Sequence, residues 1–250
     1  MTAIELQGAY NVRDLGGLRT KDRRVTRPGV IYRGDSLDNL TPGDEKILFE
    51  KLGIGTIIDL RTQAETELQD PHFPVPRHRF SLLVEGRLGH EPFPSDDPVE
   101  LAKVYLGNLE TGRAAVKGTF DIIAANLQAG AATLFHCAAG RDRTGVMAAL
   151  LLGTVGVTDG QIAMDYVQSN RNARRVTRKL AENPLYASND HDRPEVILLH
   201  ERTILNFMRL LRAKYTGPVQ FSRECGVSEE TIAVIDDLFV VDPPDVPVAG

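Results

Sequence analysis

The sequence predicts an α/β protein with a central, mostly parallel sheet flanked by helices. Three observations predict it. Thr133 to Gly153 passes from a short apolar run, through a loop of small residues, into the apolar periodicity of Val146, Leu150 and Leu151: strand, loop, helix. Thr56-Ile57-Ile58 reads as a buried strand of the parallel kind, ending in Asp59 and Arg61. Leu101, Tyr105, Leu109, Val116, Phe120, Ile123 and Leu127 recur at helical spacing, and Gly130 stops them just before the next strand.

In order along the chain, residues 1–30 are punctuated by Gly8, Gly16, Gly17, Pro28 and Gly29 and read as turns and short strands. Val30 to Arg33 reads as a strand. Thr41-Pro42-Gly43-Asp44 is a helix start, with Thr as N-cap, Pro in the first turn and an acid at the positive dipole end. Ile47, Leu48 and Leu52 face its core side, and Gly53 ends it. Arg79 to Val84 is a further strand, and residues 85–99 a loop. Thr111-Gly112 divides the helical periodicity into two helices. After the central helix, Thr158-Asp159-Gly160-Gln161 has the pattern of a capping box. Arg171, Arg174, Arg175, Arg178 and Lys179 form a basic segment. Glu195 to Lys214 reads as a long helix, and Ser228 caps the last one. Residues 159–215 are therefore expected as a helical insertion, or lid, within one domain spanning 1–250, and residues 242–250 as a frayed tail.

With 250 residues, 42% of them hydrophobic, the chain is long enough for one α/β domain with insertions. A net charge of −5 gives no global basic field for nucleic acid. No apolar run approaches the length of a membrane span, and Met1 to Gln7, short and carrying Glu5, does not read as a secretory leader, so none is expected. Cys137 and Cys225 are far apart, and the six His lack ligand spacing, so neither a disulfide framework nor a metal site is expected. The expected location is the reducing cytoplasm, or outside the cell by a route without a recognisable signal peptide.

The chemistry is concentrated at residues 133–153. A small-residue loop between a strand and a helix N-terminus turns successive backbone N–H groups inward, which favours a bound dianion. The same field favours a thiolate, so Cys137 is expected to ionise easily and act as nucleophile. Arg143 can hold two phosphate oxygens with its planar fork. Gly140 and Gly145 are small where the backbone must curve around a ligand. The expected phosphate-binding set is Ala138, Ala139, Gly140, Arg141, Asp142, Arg143 and Thr144.

Cys137, five residues and Arg143, in the longer string His136-Cys137-Ala138-Ala139-Gly140-Arg141-Asp142-Arg143-Thr144-Gly145, resembles the bacterial tyrosine/serine-protein and lipid phosphatase family of the cysteine-dependent protein tyrosine phosphatase superfamily. Asn11-Val12-Arg13-Asp14-Leu15-Gly16-Gly17, Tyr32-Arg33-Gly34-Asp35, Ile58-Asp59-Leu60-Arg61 and Gly226-Val227-Ser228-Glu229-Glu230 carry the same resemblance. Arg141 stands where that family usually has Lys, which keeps the charge and changes its geometry. The resemblance implies a phosphatase-like fold and a phosphotyrosine phosphatase working through a phosphocysteine. It also implies activity on phosphoserine/threonine and phosphoinositides. No metal or other cofactor is expected, because the loop dipoles and the arginine do a metal's electrostatic work.

For the proton donor, the resemblance favours Asp142. Asp59, at a strand end, is the second candidate, with Asp96 and Asp97 behind it. The bland readings are a carboxylate orienting Arg141 for Asp142, and an ion pair with Arg61 or Arg13 for Asp59. Thr144 is either a helix cap or a donor to the departing sulfur, and His136 a structural residue that sets the loop. Residues 11–17 are expected as a turn, with Arg13 and Asp14 bonded near the loop. The basic segment is ordinarily a solvated helix face; the alternative is a guide for anionic headgroups. Two rival functions remain at this point: an arsenate-reductase or rhodanese-like thiol enzyme, and a catalytically silent phosphate-binding module.

Overall fold

A computed structural model describes residues 2–67, 71–83, 97–182, 186, 196 and 198–243. Strands β1 (Arg13–Asp14), β2 (Val25–Thr26) and β3 (Ile31–Gly34) precede helix α1 (Pro42–Glu45). Strand β4 (Ile54–Asp59), helix α2 (Gln63–Glu67) and strand β5 (Arg77–Arg79) come next. Helices α3 (Pro98–Thr111) and α4 (Arg113–Ala129) lead to β6 (Ala132–His136) and α5 (Asp142–Thr154). Helices α6 (Asp159–Gln168), α7 (Ala173–Ala181), α8 (Glu201–Tyr215), α9 (Pro218–Glu224) and α10 (Glu229–Phe239) follow, and β7 (Val240–Val241) comes last.

The main sheet has the order β1-β3-β6-β4-β5. All its pairings are parallel except β1 with β3. This is the mostly parallel sheet flanked by helices that the strand–loop–helix pattern predicts. Alternate residues of the strands feed two cores. Ile31, Ile58 and Phe135 face the large helical core with Leu150, Phe120 and Phe207. Tyr32, Ile57 and Leu134 face a smaller core with Leu6, Leu48 and Phe73. Gly34 of β3 and Asp59 of β4 both lie in register with His136, the last residue of β6. The carboxyl ends of three parallel strands therefore open at one level, which is where such sheets place ligands.

Local signals explain most boundaries. Thr41 and Asp44 form a reciprocal capping box, with Asp44 N–H donating to Thr41 Oγ1 at 3.2 Å and Thr41 N–H to Asp44 Oδ2 at 3.0 Å. The helix continues as a π turn over Lys46–Lys51, where Leu48 is buried, and ends at Gly53 with φ +65°. Gly112 separates α3 from α4, Gly130 stops α4 at φ +70°, and Ser228 accepts from Thr231 N–H to start α10.

Other boundaries differ from the sequence reading. In the described part of the expected strand Arg79 to Val84, only Arg79 is strand, as the last residue of β5, because its partner β4 stops at Asp59; Val84 lies outside the described residues. The expected loop 85–99 lies largely outside the described residues, and its end is already helical, since Asp97 caps α3 through the N–H groups of Val99 and Glu100. Thr158 precedes α6 without a side-chain cap, and Gln161 turns its oxygen to Arg19 N–H. The long helix begins at Glu201, not Glu195, because Asn170 holds both the N–H and the carbonyl of Leu199 at 2.8 Å. The tail from 244 on lies outside the described residues. Helix α9 and the pairing of β2 with β7 were not anticipated.

Of the segment 159–215, α8 packs along α3, α6 and α9 as part of the helical layer. Helix α7 instead reaches back across the strand ends. Lys179 donates to Gly8 O at 2.9 Å and Ser36 O at 2.5 Å, and pairs with Asp35 at 3.1 Å. Among the described residues no helix is long and apolar enough to cross a membrane.

Candidate active site

Cys137 follows β6 directly and is 2% exposed, at the entrance to the loop that ends in α5. The outward face of that loop is braced carbonyl by carbonyl. Ser36 N–H donates to Ala138 O at 3.0 Å. The Asn11 side-chain amide donates to Ala139 O at 3.2 Å and Gly140 O at 2.9 Å. Arg33 Nη2 donates to Gly140 O at 2.8 Å. Among the described residues, no backbone N–H of residues 138–144 has a protein acceptor. Carbonyls held outward and unused donors left over make a bowl of amide dipoles at a helix N-terminus, the arrangement that takes a phosphate dianion.

The braces are themselves fixed. Asp165 of α6 accepts from Arg13 Nε at 2.7 Å and from Arg33 Nη1 at 2.5 Å. Arg13 also donates to Asn11 Oδ1 at 2.6 Å, which orients the amide that holds the loop. All three charged side chains are buried, so each needs its partners. Burial, then repulsion from Arg13, pulls Arg33 down to about 10, still charged at neutral pH. Asp35 accepts from Tyr10 N–H at 2.9 Å and Asn11 N–H at 2.8 Å. Asp14, expected near the loop, is elsewhere: it accepts from Gly16 and Gly29 N–H at 2.8 and 2.7 Å.

The two glycines have a different reason from the one expected. A Cβ on Gly140 would lie 2.5 Å from Gly34 C and O and 2.6 Å from Asp35 N, and its φ is +65°. A Cβ on Gly145 would lie 2.9 Å from the Tyr166 ring. Both are small for close packing within the protein. Gly140→Ala meets backbone that cannot rotate aside, so it is expected to destabilise the fold by about 3 kcal/mol. Denaturant unfolding against wild type measures this, and a change under about 1 kcal/mol would show that the loop yields.

Arg143 is held beside the bowl by Glu65 of α2, through two bonds of 2.6 and 2.7 Å. That end-on fork uses one N–H of each terminal nitrogen and leaves the Nε–H and the outer N–H groups for phosphate oxygens. Burial opposes the charge on Arg143, but Cys137 and the Glu65 carboxylate outweigh it and hold the guanidinium above its usual range. Burial likewise opposes ionisation of Glu65, and Arg143 more than reverses this, taking it to about 2. Glu65 also accepts from Thr62 N–H at 2.8 Å and from the hydroxyl of Tyr186.

Asp142 opens α5 and is partly exposed. Its Oδ1 accepts from the buried Tyr105 hydroxyl, which lies 2.7 Å from the Tyr166 hydroxyl. Asp59 is fully buried and faces Arg61, with bonds of 3.0 and 2.8 Å. Burial opposes its charge, but His136 and Arg61 outweigh this and hold its carboxyl well below the usual range. Arg61 continues to Asp38 at 2.5 and 3.1 Å. His136 Nδ1 lies 3.1 Å from Cys137 O, and its Nε2 has no hydrogen-bond partner among the described residues. The Thr144 hydroxyl is buried and also without a partner there. Asp96 lies outside the described residues. A cavity of about 260 Å³ opens beside Ala138, between Ser36, Asp38, Arg61, Lys179 and Tyr186.

Sequence reasoning placed Cys137, Arg143 and the loop together, and the structure does too. It missed Glu65, Asp165, Tyr105, Tyr166 and Lys179. Only Glu65 left a local trace, the Thr62-x-x-Glu65 spacing of a helix start.

This fold, with a cysteine at the foot of an amide bowl and a braced arginine beside it, defines the class of cysteine-based protein tyrosine phosphatases, hydrolases of phosphoric monoesters. The chain belongs to the tyrosine phosphatase family, whose profile matches residues 4–241. It is 25% identical to the triple specificity protein phosphatase PtpB of Mycobacterium tuberculosis, over 93% of this chain and 97% of that one. It is 36% identical to a tyrosine-protein phosphatase of Nostoc commune, over 56% of this chain and 48% of that one. Among solved structures, the core catalytic domain of the PP-IP phosphatase SIW14 from S. cerevisiae matches 67% of this chain and 79% of its own, with TM-score 0.34 and 16% identity.

Proposed function

We propose that the enzyme hydrolyses phosphotyrosine through a phosphocysteine, and accepts phosphoserine/threonine and phosphoinositides as well. The observation that carries this is the loop itself: outward-braced carbonyls and unused N–H groups over residues 138–144, with Arg143 fixed alongside. Cys137 Sγ attacks phosphorus in line. Arg143 and the amides take the charge of the equatorial oxygens. Asp142 gives a proton to the leaving oxygen. Water then attacks phosphorus, returns a proton to Asp142, and expels the thiolate, which the Thr144 hydroxyl receives. Asp59, closed onto Arg61, serves as an orienting group. A silent module would have no use for an arginine held by a carboxylate in reach of the cysteine.

The breadth of substrate rests on the relative named for three specificities and on α7. Arg171, just before α7, and Arg174, Arg175 and Arg178 on it are exposed at positions i, i+3, i+4 and i+7, and Arg175 stacks 4.2 Å over the Tyr10 ring, next to Asn11. A cavity of about 320 Å³ lies between Arg171, Arg174, Arg175, Val196 and Leu198.

Side-by-side assay of phosphopeptides and phosphoinositides is expected to show turnover of both, blocked by vanadate and indifferent to chelator. Turnover of vesicle-borne phosphoinositide should fall steeply with salt, about tenfold from low to physiological ionic strength. Alanine at Arg174, Arg175 and Arg178 together should flatten that dependence and spare a small aryl phosphate. An unchanged salt slope would remove α7 from the account.

A further inference from the structure

We propose that Tyr105 is a positioning residue for proton transfer: it holds Asp142 by one carboxylate oxygen, so that the travelling proton is carried on the other. The inference rests on Asp142 as the proton donor.

Three elements converge on this point. Asp142 is the first residue of α5, Tyr105 comes from α3, and Tyr166 from α6. The Tyr105 hydroxyl has one proton, and it goes to Asp142 Oδ1. The 2.7 Å contact with Tyr166 must then be donated by Tyr166, so the bonds run one way, from Tyr166 to Tyr105 to Asp142. Burial, then the charge of Asp142, raises both phenols well above their ordinary values, so both remain donors at working pH. The rings lie edge-on at 6.4 Å, and Phe207 of α8 closes on Tyr105 at 6.5 Å, which leaves the hydroxyl little room to turn. Gly145 leaves the space on α5 into which the Tyr166 ring fits. Among the described residues, Asp142 Oδ2 accepts no hydrogen bond.

This arrangement has a chemical consequence. A carboxyl free to rotate presents either oxygen, with the proton on either. With Oδ1 engaged as an acceptor, a neutral Asp142 carries its proton on Oδ2. In the first step the Sγ–P bond forms, the P–O bond breaks, and the Oδ2 proton passes to the leaving oxygen. In the second, water attacks phosphorus, its proton goes to Oδ2, and Sγ leaves as thiolate. Tyr105 and Tyr166 keep their protons throughout. Two phenylalanines would fill the same core, so packing alone gives no reason for the hydroxyls.

The test is a series of aryl phosphates from phenyl to strongly acidic phenols, since only poor leaving groups need the proton. Asp142→Asn is expected to lose about 100-fold on phenyl phosphate and only a few-fold at the acidic end. Tyr105→Phe should lose about tenfold in kcat on phenyl phosphate and under about twofold at the acidic end, with KM unchanged. In the Asp142→Asn background Tyr105→Phe should add nothing. A uniform loss across the series, or none, in Tyr105→Phe overturns the positioning role and leaves Asp142 standing. A flat series for Asp142→Asn overturns the donor itself. Should Tyr105→Phe not fold, Tyr166→Phe, which keeps the Tyr105 hydroxyl, must show the same slope at about threefold or the inference falls.

Discussion

Replacing Cys137 by serine is expected to lower turnover of any aryl phosphate by about 10⁴-fold or more. The reason is chemical. A thiolate is a strong nucleophile that thiols as a class can form, whereas a serine hydroxyl gives no comparable anion at neutral pH without a strong general base. The side chains are of similar size and the position is 2% exposed, so the fold should be unaffected. In the proposed mechanism phosphate is held by the amides of 138–144 and by Arg143, none of which changes, so inorganic phosphate and substrate should bind as before. Steady-state kinetics and calorimetric titration with phosphate read the two effects separately. Residual turnover within tenfold of wild type would move the nucleophile elsewhere, and loss of phosphate binding would show that the sulfur shapes the bowl.

Arg143→Lys should cost about 10²- to 10³-fold in kcat although the charge is retained. Glu65 holds the guanidinium by two parallel bonds of 2.6 and 2.7 Å, and the proposed mechanism gives the remaining N–H groups of the same plane to the substrate. An ammonium can meet Glu65 or the phosphate but has no planar fork to meet both in fixed geometry. The pair also predicts an acid limit to stability. Glu65 falls from an ordinary 4.5 to about 2 in the folded state. A depressed carboxylate stabilises the fold fully above its unfolded value, and that contribution fades as pH falls from 4.5 toward 2. Glu65→Gln lacks this dependence, so its unfolding free energy should change less than that of wild type across that interval. Parallel curves for the two proteins would show that Glu65 is not linked to stability in this way.

What could be read from the sequence was local. Strand, loop and helix around Cys137 are contiguous, so spacing and periodicity disclose them, and with them the candidate nucleophile and its neighbouring arginine. The rest of the site arrives from a distance. Asp165 is an ordinary acid on an amphipathic helix until folding sets it between Arg13 and Arg33. Tyr105 reads as one more core residue of α3, because periodicity reports burial and says nothing of where a hydroxyl points. Asn11 looked like part of a turn, and its service to the carbonyls of Ala139 and Gly140 spans well over a hundred positions. Strand ends were misread where tertiary partners decide them, as at Arg79, where β4 runs out.

The dependence of the two side-chain braces, Asn11 through Arg13 and Arg33 directly, on Asp165 carries a consequence for biogenesis. Chains emerge from the ribosome amino end first. A nascent polypeptide that has released Cys137 and Arg143 still lacks α6, so Arg13 and Arg33 have no carboxylate between them and the anion trap has no fixed shape. The side-chain support of the loop can therefore be completed only after Asp165 has been made, 28 residues beyond Cys137.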